Sequence, residues 1–355
     1  MTSARVHLRL STGIALAAVL FLAGCADTNA PLPPAEEVLL AVNSTANTLS
    51  IVPVDAPGSA VAVELGGTTP TPVGVAAREG IAVVPLGLDN AVAVVDLRAA
   101  AVLRVIPLPD NSGATGAAVV DDSIAYVGNP GLNTVSRVNY LTGATSEVAV
   151  GVYPQGMIFT RGKLFVLNGN LDETFSPAGP SWITVVDPAT NAVATGIDSI
   201  PLTGPGNAGF ATVGGDGLLY VMSTGSFFGG EGRLSIVDPV GRTEIASFAG
   251  FGTGPGNVAA DGETRIYVSS FAEGLMEFDT DSNRVLRGAG QGVNIASNSA
   301  VAVDSERRIY AIESGPCSGG QPGTAHVLDQ DFAELRTVTL GECPSGAAVV
   351  QIPPE

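Results

Sequence analysis

Residues 124–139 run Ile124-Ala125-Tyr126-Val127-Gly128-Asn129-Pro130-Gly131-Leu132-Asn133-Thr134-Val135-Ser136-Arg137-Val138-Asn139. Two short β-type runs flank the turn formers Gly128 to Asn133, and the second run alternates apolar and polar side chains before it stops at an Asx residue. The same stop recurs along the chain. Runs of this third-strand type cover residues 49–55, 91–96, 134–139, 182–187, 233–238, 275–279 and 325–329, ending in Asp55, Asp96, Asn139, Asp187, Asp238, Asp279 and Asp329. Seven copies about 40 to 50 residues apart have the period of a propeller blade.

Each copy follows a second-strand type such as Leu164-Phe165-Val166-Leu167 or Ile266-Tyr267-Val268-Ser269. Before that comes a small-residue inner type opened by Gly or Asn, as in Gln155-Gly156-Met157-Ile158-Phe159 and Asn257-Val258-Ala259-Ala260. The string Thr-Gly-Pro-Gly-Asn occurs twice, ending at Asn207 and at Asn257. An outer run such as Val102-Leu103-Arg104-Val105-Ile106 completes a four-stranded antiparallel meander. The first strand, at residues 38–42, is of the second type, and the last, at 346–351, is of the inner type. The C-terminal strand is therefore expected to complete the first blade, which ties the ends together and leaves no open ring. The expected fold is an all-β, seven-bladed β-propeller over residues 37–355.

Three segments, Pro154-Gln155-Gly156, Ile124-Ala125-Tyr126-Val127-Gly128-Asn129 and Asn133-Thr134-Val135-Ser136, resemble the repeat of the YVTN family of bacterial and archaeal seven-bladed propellers. The resemblance spans residues 37–351. It implies a secreted or surface protein. The sixth blade departs from it, keeping only the terminal Asp279 of the third-strand pattern.

Ahead of the repeats, Arg5 and Arg9 precede an apolar run over residues 13–22, followed by Leu22-Ala23-Gly24-Cys25. That order is read as a lipoprotein signal peptide over residues 1–24, with acylated Cys25 as the membrane-lipid contact and residues 25–36 as a tether rich in Pro and small residues. Ala26 after the cysteine favours the outer membrane of a bacterial envelope, facing periplasm or cell surface. Asp and Glu number 34 against 16 Lys and Arg, for a net charge of −18, which argues against nucleic acid and anionic lipid headgroups as partners. Of two histidines, only His326 lies beyond the signal. No multi-histidine metal site or Gly-x-Ser-x-Gly elbow is present, so no catalytic residue, metal or cofactor is assigned. The calcium-like run Asp279-Thr280-Asp281-Ser282-Asn283 lacks the loop's Gly and Glu and is read as a turn.

Cys317 and Cys343 are an even pair in an exported chain and are expected to form a disulfide. Blade order places both on one face, that of the second-to-third loops and the outer-to-inner connections. The same face receives the long loops 169–181 and 223–232. Asp172, Glu173, Phe175, Trp182, Phe227, Phe228 and Glu231, with Gln155, Asn207 and Asn257 at the openings of inner strands, are the candidate ligand contacts. The alternative is that these aromatics only pin the loops to the ring. The expected function is a monomeric binding or scaffold module for a protein, peptide or envelope polymer. Its rival is a lactonase-like hydrolase or lyase using acidic residues around the central channel.

Overall fold

The computed structural model describes residues 35–354 and Thr2. The signal segment, Cys25 and all of the tether before Ala35 lie outside the described residues. Seven antiparallel sheets follow one another along the chain, each of four strands, with the outer strand of blade four split into Ala192–Val193 and Ser199–Pro201. The inner strands of blades one to seven are Pro344–Ile352, Ala76–Arg78, Ala117–Val119, Pro154–Thr160, Ala208–Val213, Pro255–Ala260 and Asn298–Val303. Each touches the next in that order, and the last touches the first.

Blade one contains both ends of the domain. Its second strand, Glu36–Asn43, pairs with Thr48–Pro53 on one side and with the C-terminal Pro344–Ile352 on the other, from Glu36 opposite Ile352 to Asn43 opposite Pro344. The C-terminal strand thus closes the ring as the order of strand types predicts. Alternate residues of Glu36–Asn43 face different neighbours. Leu39 and Ala41 pack with Tyr310 and Ile312 of blade seven, while Leu40 and Val42 pack with Val84 and Leu86 of blade two. A strand buried on both faces has no polar side, which explains its uninterrupted apolar run.

The repeated polar residues hold turns. Asp96 accepts the N–H groups of Arg98 and Ala99, each at 2.9 Å, and Asn139 accepts those of Leu141 at 3.1 Å and Thr142 at 2.9 Å. The Asx stop caps the turn to the outer strand in blades two to seven, while Asp55 of blade one instead meets Arg308 at 3.2 Å. Asp279 does the same with Ser282, whose hydroxyl, with the backbone N–H, holds the Asp279 carboxyl below its usual range. The calcium-like run is this turn.

The Asn that ends a second strand is a staple. Asn43 Nδ2 donates to Thr48 Oγ1 and Ser50 Oγ, both at 2.9 Å, and its Oδ1 accepts from Gly341 N of the preceding blade at 3.0 Å. Asn129 repeats the donation to Thr134 and Ser136, each at 2.9 Å, and Asn168 donates to Thr184 at 2.9 Å while accepting from Gly151 N at 2.9 Å. The Asn and Thr-x-Ser positions of the repeat are thus explained by buried hydrogen bonding.

Cys317 and Cys343 form a disulfide with the Cα atoms 4.5 Å apart, on the face predicted. Glu36 and Ile352 lie at the opposite end of blade one, because Asn43, their strand's other end, is followed by Ser44, which donates to Cys343 O at 2.8 Å. The bridge spans a sequence separation of 26 residues. Closing a loop of that size is worth about 3 kcal/mol through the unfolded chain. The double variant Cys317→Ser, Cys343→Ser is expected to lower the urea midpoint correspondingly; an unchanged midpoint would show that the bridge adds nothing.

Candidate functional site

The inner strands enclose a cavity of about 1130 Å³, to which all seven blades contribute. Its wall includes no Asp, Glu, His, Lys or Arg, in a chain of net charge −18. The wall is mainly Gly, Ala and Val of the inner strands, with Met157 and Phe210. At its mouth, on the disulfide face, stand Phe227, Phe228 and Phe271, exposed to 58%, 95% and 59%. Ordinary phenylalanines are buried, so three bare rings around one opening form an exposed apolar rim.

Below the rings the mouth is polar but neutral. Gln155 donates through Nε2 to Asn207 Oδ1 at 2.7 Å, and Asn207 Nδ2 donates to Gly225 O at 3.0 Å, which links blades four and five across the opening. Asn257 also lines the wall. Asn298, at 1% exposure, lines it too, and neither Oδ1 nor Nδ2 has a hydrogen-bond partner. Leaving such buried atoms unpaired costs about 1–3 kcal/mol each.

Five of the ten candidate contacts therefore meet on one cavity: Gln155, Asn207, Asn257, Phe227 and Phe228. The others lie off it. Asp172 accepts from Thr174 Oγ1 at 2.7 Å and from the N–H groups of Thr174 at 2.8 Å and Ser176 at 3.0 Å, and these bonds, the Thr174 hydroxyl first, hold its carboxyl below the usual range. Glu231 likewise accepts from Ser226 N at 3.1 Å. Phe175 sets its ring edge-on to Tyr153, with centroids 5.9 Å apart. Trp182 lies against Gly151, where an added Cβ would come within 2.6 Å of the indole. Asp172, Phe175 and Glu231 hold their loops, Trp182 opens the third strand of blade four and packs on the connection at Gly151, and Glu173 projects into solvent. Phe271 and Asn298 were not among the sequence candidates. Phe271 sits in a short loop without unusual length, while Asn298 opens the small-residue run Asn298-Ser299-Ala300 at the head of its inner strand.

His326 is held by two carboxylates, Nδ1 to Glu334 at 2.7 Å and Nε2 to Glu313 at 3.0 Å. Burial works against its charge, yet the hydrogen bonds to Glu334 and Glu313 outweigh it and raise the imidazole above its ordinary pKa. With both nitrogens engaged, the ring has no free position for a substrate proton. Among the described residues no group of three or more His, Cys, Asp or Glu is placed to hold a metal ion.

No family model matches the chain, and no curated protein matches it. Among solved structures, hydrazine synthase of Kuenenia stuttgartiensis is similar, with a TM-score of 0.63 at 14% identity, covering 79% of this chain and 89% of that one. At that identity the likeness establishes the fold alone.

Proposed function

We propose that this chain is a YVTN-type envelope lipoprotein whose propeller is a binding module, with the channel mouth between Phe227, Phe228 and Phe271 as its ligand site. The observation that carries this reading is the uncharged channel opening among bare aromatic rings in a strongly acidic protein. A hydrolytic or lyase site built from carboxylates around the axis would need ionisable side chains in that wall, and the wall has none. Mutually repelling acidic surfaces stay soluble and apart, so the neutral mouth is the place where contact costs least.

An anchor at Cys25 fits the same reading. Glu36, the residue into which the tether would lead, lies on the face of the ring away from the disulfide. The test pairs two changes. Cys25→Ser is expected to move the protein from the detergent phase to the aqueous phase on partitioning. Phe227→Ala with Phe228→Ala is expected to weaken capture of envelope components about tenfold, the scale of an aromatic anchor. Equal retention of every component by the original and the double variant would refute the mouth as the site.

A further inference from the structure

The geometry points to a peptide as the ligand of this mouth: we propose that the channel receives an uncharged, extended peptide segment, one residue of which pairs its N–H and C=O with the carboxamide of Asn298. This rests on the binding reading above and narrows it to one class of ligand.

Three observations converge. Asn298, a residue of the cavity wall, holds a donor and an acceptor that are both unpartnered and nearly sealed, so that a small turn of its side chain towards the channel would let a ligand satisfy them. The group that satisfies both at once is one that offers an N–H and a C=O side by side, as a single residue of an extended chain does through its two flanking amides. Each inner strand is the terminal strand of its sheet, paired on one side only, so free main-chain edges line the axis. An extended chain is the natural complement of such an edge. Finally, the wall supplies no counter-ion, so a charged side chain drawn inside would lose its hydration without compensation. A sugar polymer would meet the same neutral polar groups of the wall, among them Thr115, Thr212 and Ser299, but it lacks the regular row of N–H and C=O groups that matches a strand edge. The phenylalanines at the rim suit apolar side chains of a peptide as it enters.

Asn298 also stands out against the repeat. It pairs with Glu313 at the register where Pro154, Pro255 and Pro344 pair with Asn168, Ser270 and Asn43. The preceding residue is left-handed in all four blades: Ser297 at φ 45°, Tyr153 at 56°, Gly254 at 61° and Cys343 at 58°. Asn298→Pro therefore restores the residue that three other blades already accept, and removes the carboxamide.

The experiment is calorimetric titration of the Cys25→Ser chain with an acetylated, amidated pentapeptide of serine, alanine and phenylalanine. Parallel arms use the same peptide with lysine or glutamate at its centre, and uncharged chitotetraose. The expected result is one-to-one binding of the neutral peptide, at least tenfold weaker binding of both charged forms, and about tenfold weakening by Asn298→Pro with a thermal midpoint no lower than that of the original. The conservative Asn298→Gln is expected to retain more affinity than Asn298→Pro. Binding of chitotetraose in place of the peptide, lost in Phe227→Ala with Phe228→Ala, overturns the peptide and leaves the mouth as the site. Peptide binding that Asn298→Pro leaves intact overturns the role of the carboxamide, and no binding in any arm overturns the inference whole.

Discussion

Truncation of the chain after Cys343 is expected to abolish the cooperative unfolding transition of the domain. The deleted strand, Pro344–Ile352, is paired with Glu36–Asn43 over its whole length. Its side chains serve two interfaces: Ala347 and Val349 pack towards blade seven, and Val350 and Ile352 towards blade two. Fully burying an aliphatic side chain of this size contributes roughly 1.5–3 kcal/mol, and these residues are partly to fully covered. Deletion also leaves the buried strand Glu36–Asn43 with an unpaired edge, whose N–H and C=O groups lose their partners without gaining water. The combined loss is comparable with the whole stability of a domain, about 5–15 kcal/mol. Calorimetry is expected to show no transition, or one displaced downward by about 15 °C or more. A peptide spanning residues 343–355, added in trans, is expected to restore part of it. A truncated chain melting like the original would mean that the ring does not depend on its closure.

The closure was legible because it follows from strand type alone. The third strands were legible for a local reason: the bounds read from alternation, 91–96, 134–139, 182–187 and 233–238, coincide with the observed strands Ala91–Asp96, Thr134–Asn139, Trp182–Asp187 and Arg233–Asp238. Each alternating run ends on an Asx residue that caps its own turn, so both signals lie within a few residues. Inner strands are different. In blade two the run Val73-Gly74-Val75-Ala76-Ala77 reads as inner type, whereas the strand is Ala76–Arg78, since its small residues carry no local boundary signal like the Asx stop. The outer strand of blade four is interrupted near Gly196, whose left-handed φ of 84° takes the chain out of the ladder.

The site was half legible. Loop length drew attention to Phe227 and Phe228, and the string Thr-Gly-Pro-Gly-Asn to Asn207 and Asn257. Loop length also drew in Asp172, Phe175 and Glu231, which are spent on holding the loops themselves, and nothing local separates the two groups. The more useful signal lies in where the repeat breaks. The third position of the inner motif is Gly116, Gly156 and Gly346 in blades three, four and one, but Phe210, Asn257 and Ala300 in blades five to seven. All but Ala300 line the cavity, so that Phe210 and Asn257 add a ring and a carboxamide to a wall that carries bare glycine at the matching places in blades one, three and four.

That contrast yields a paired prediction on a single motif. Gly156→Ala is expected to destabilise the domain by about 2–4 kcal/mol, whereas Gly74→Ala, at the matching place in Pro72-Val73-Gly74, is expected to be neutral or slightly stabilising. Neither glycine has a positive φ, so the requirement is one of space. A Cβ on Gly156 would lie 2.1 Å from the carbonyl oxygen of Gly209 and 2.9 Å from its carbon, and this is backbone of the adjacent inner strand, which cannot swing aside. The same holds for Gly346, 2.5 Å from Val73 O, and Gly116, 2.2 Å from Gln155 O. A Cβ on Gly74 meets nothing within 4 Å. The difference arises because inner strands approach their neighbours through the glycine in blades three, four and one, and not in blade two. Relief of the clash at Gly156 has to push blades four and five apart, which lengthens the 2.7 Å bond between Gln155 and Asn207 at the channel mouth. Gly156→Ala is therefore expected to lower both the urea midpoint and the affinity for any ligand of the mouth, while Gly74→Ala changes neither. Equal midpoints for the two variants would show that the packing of inner strands, and not merely their sequence, is uniform around the ring.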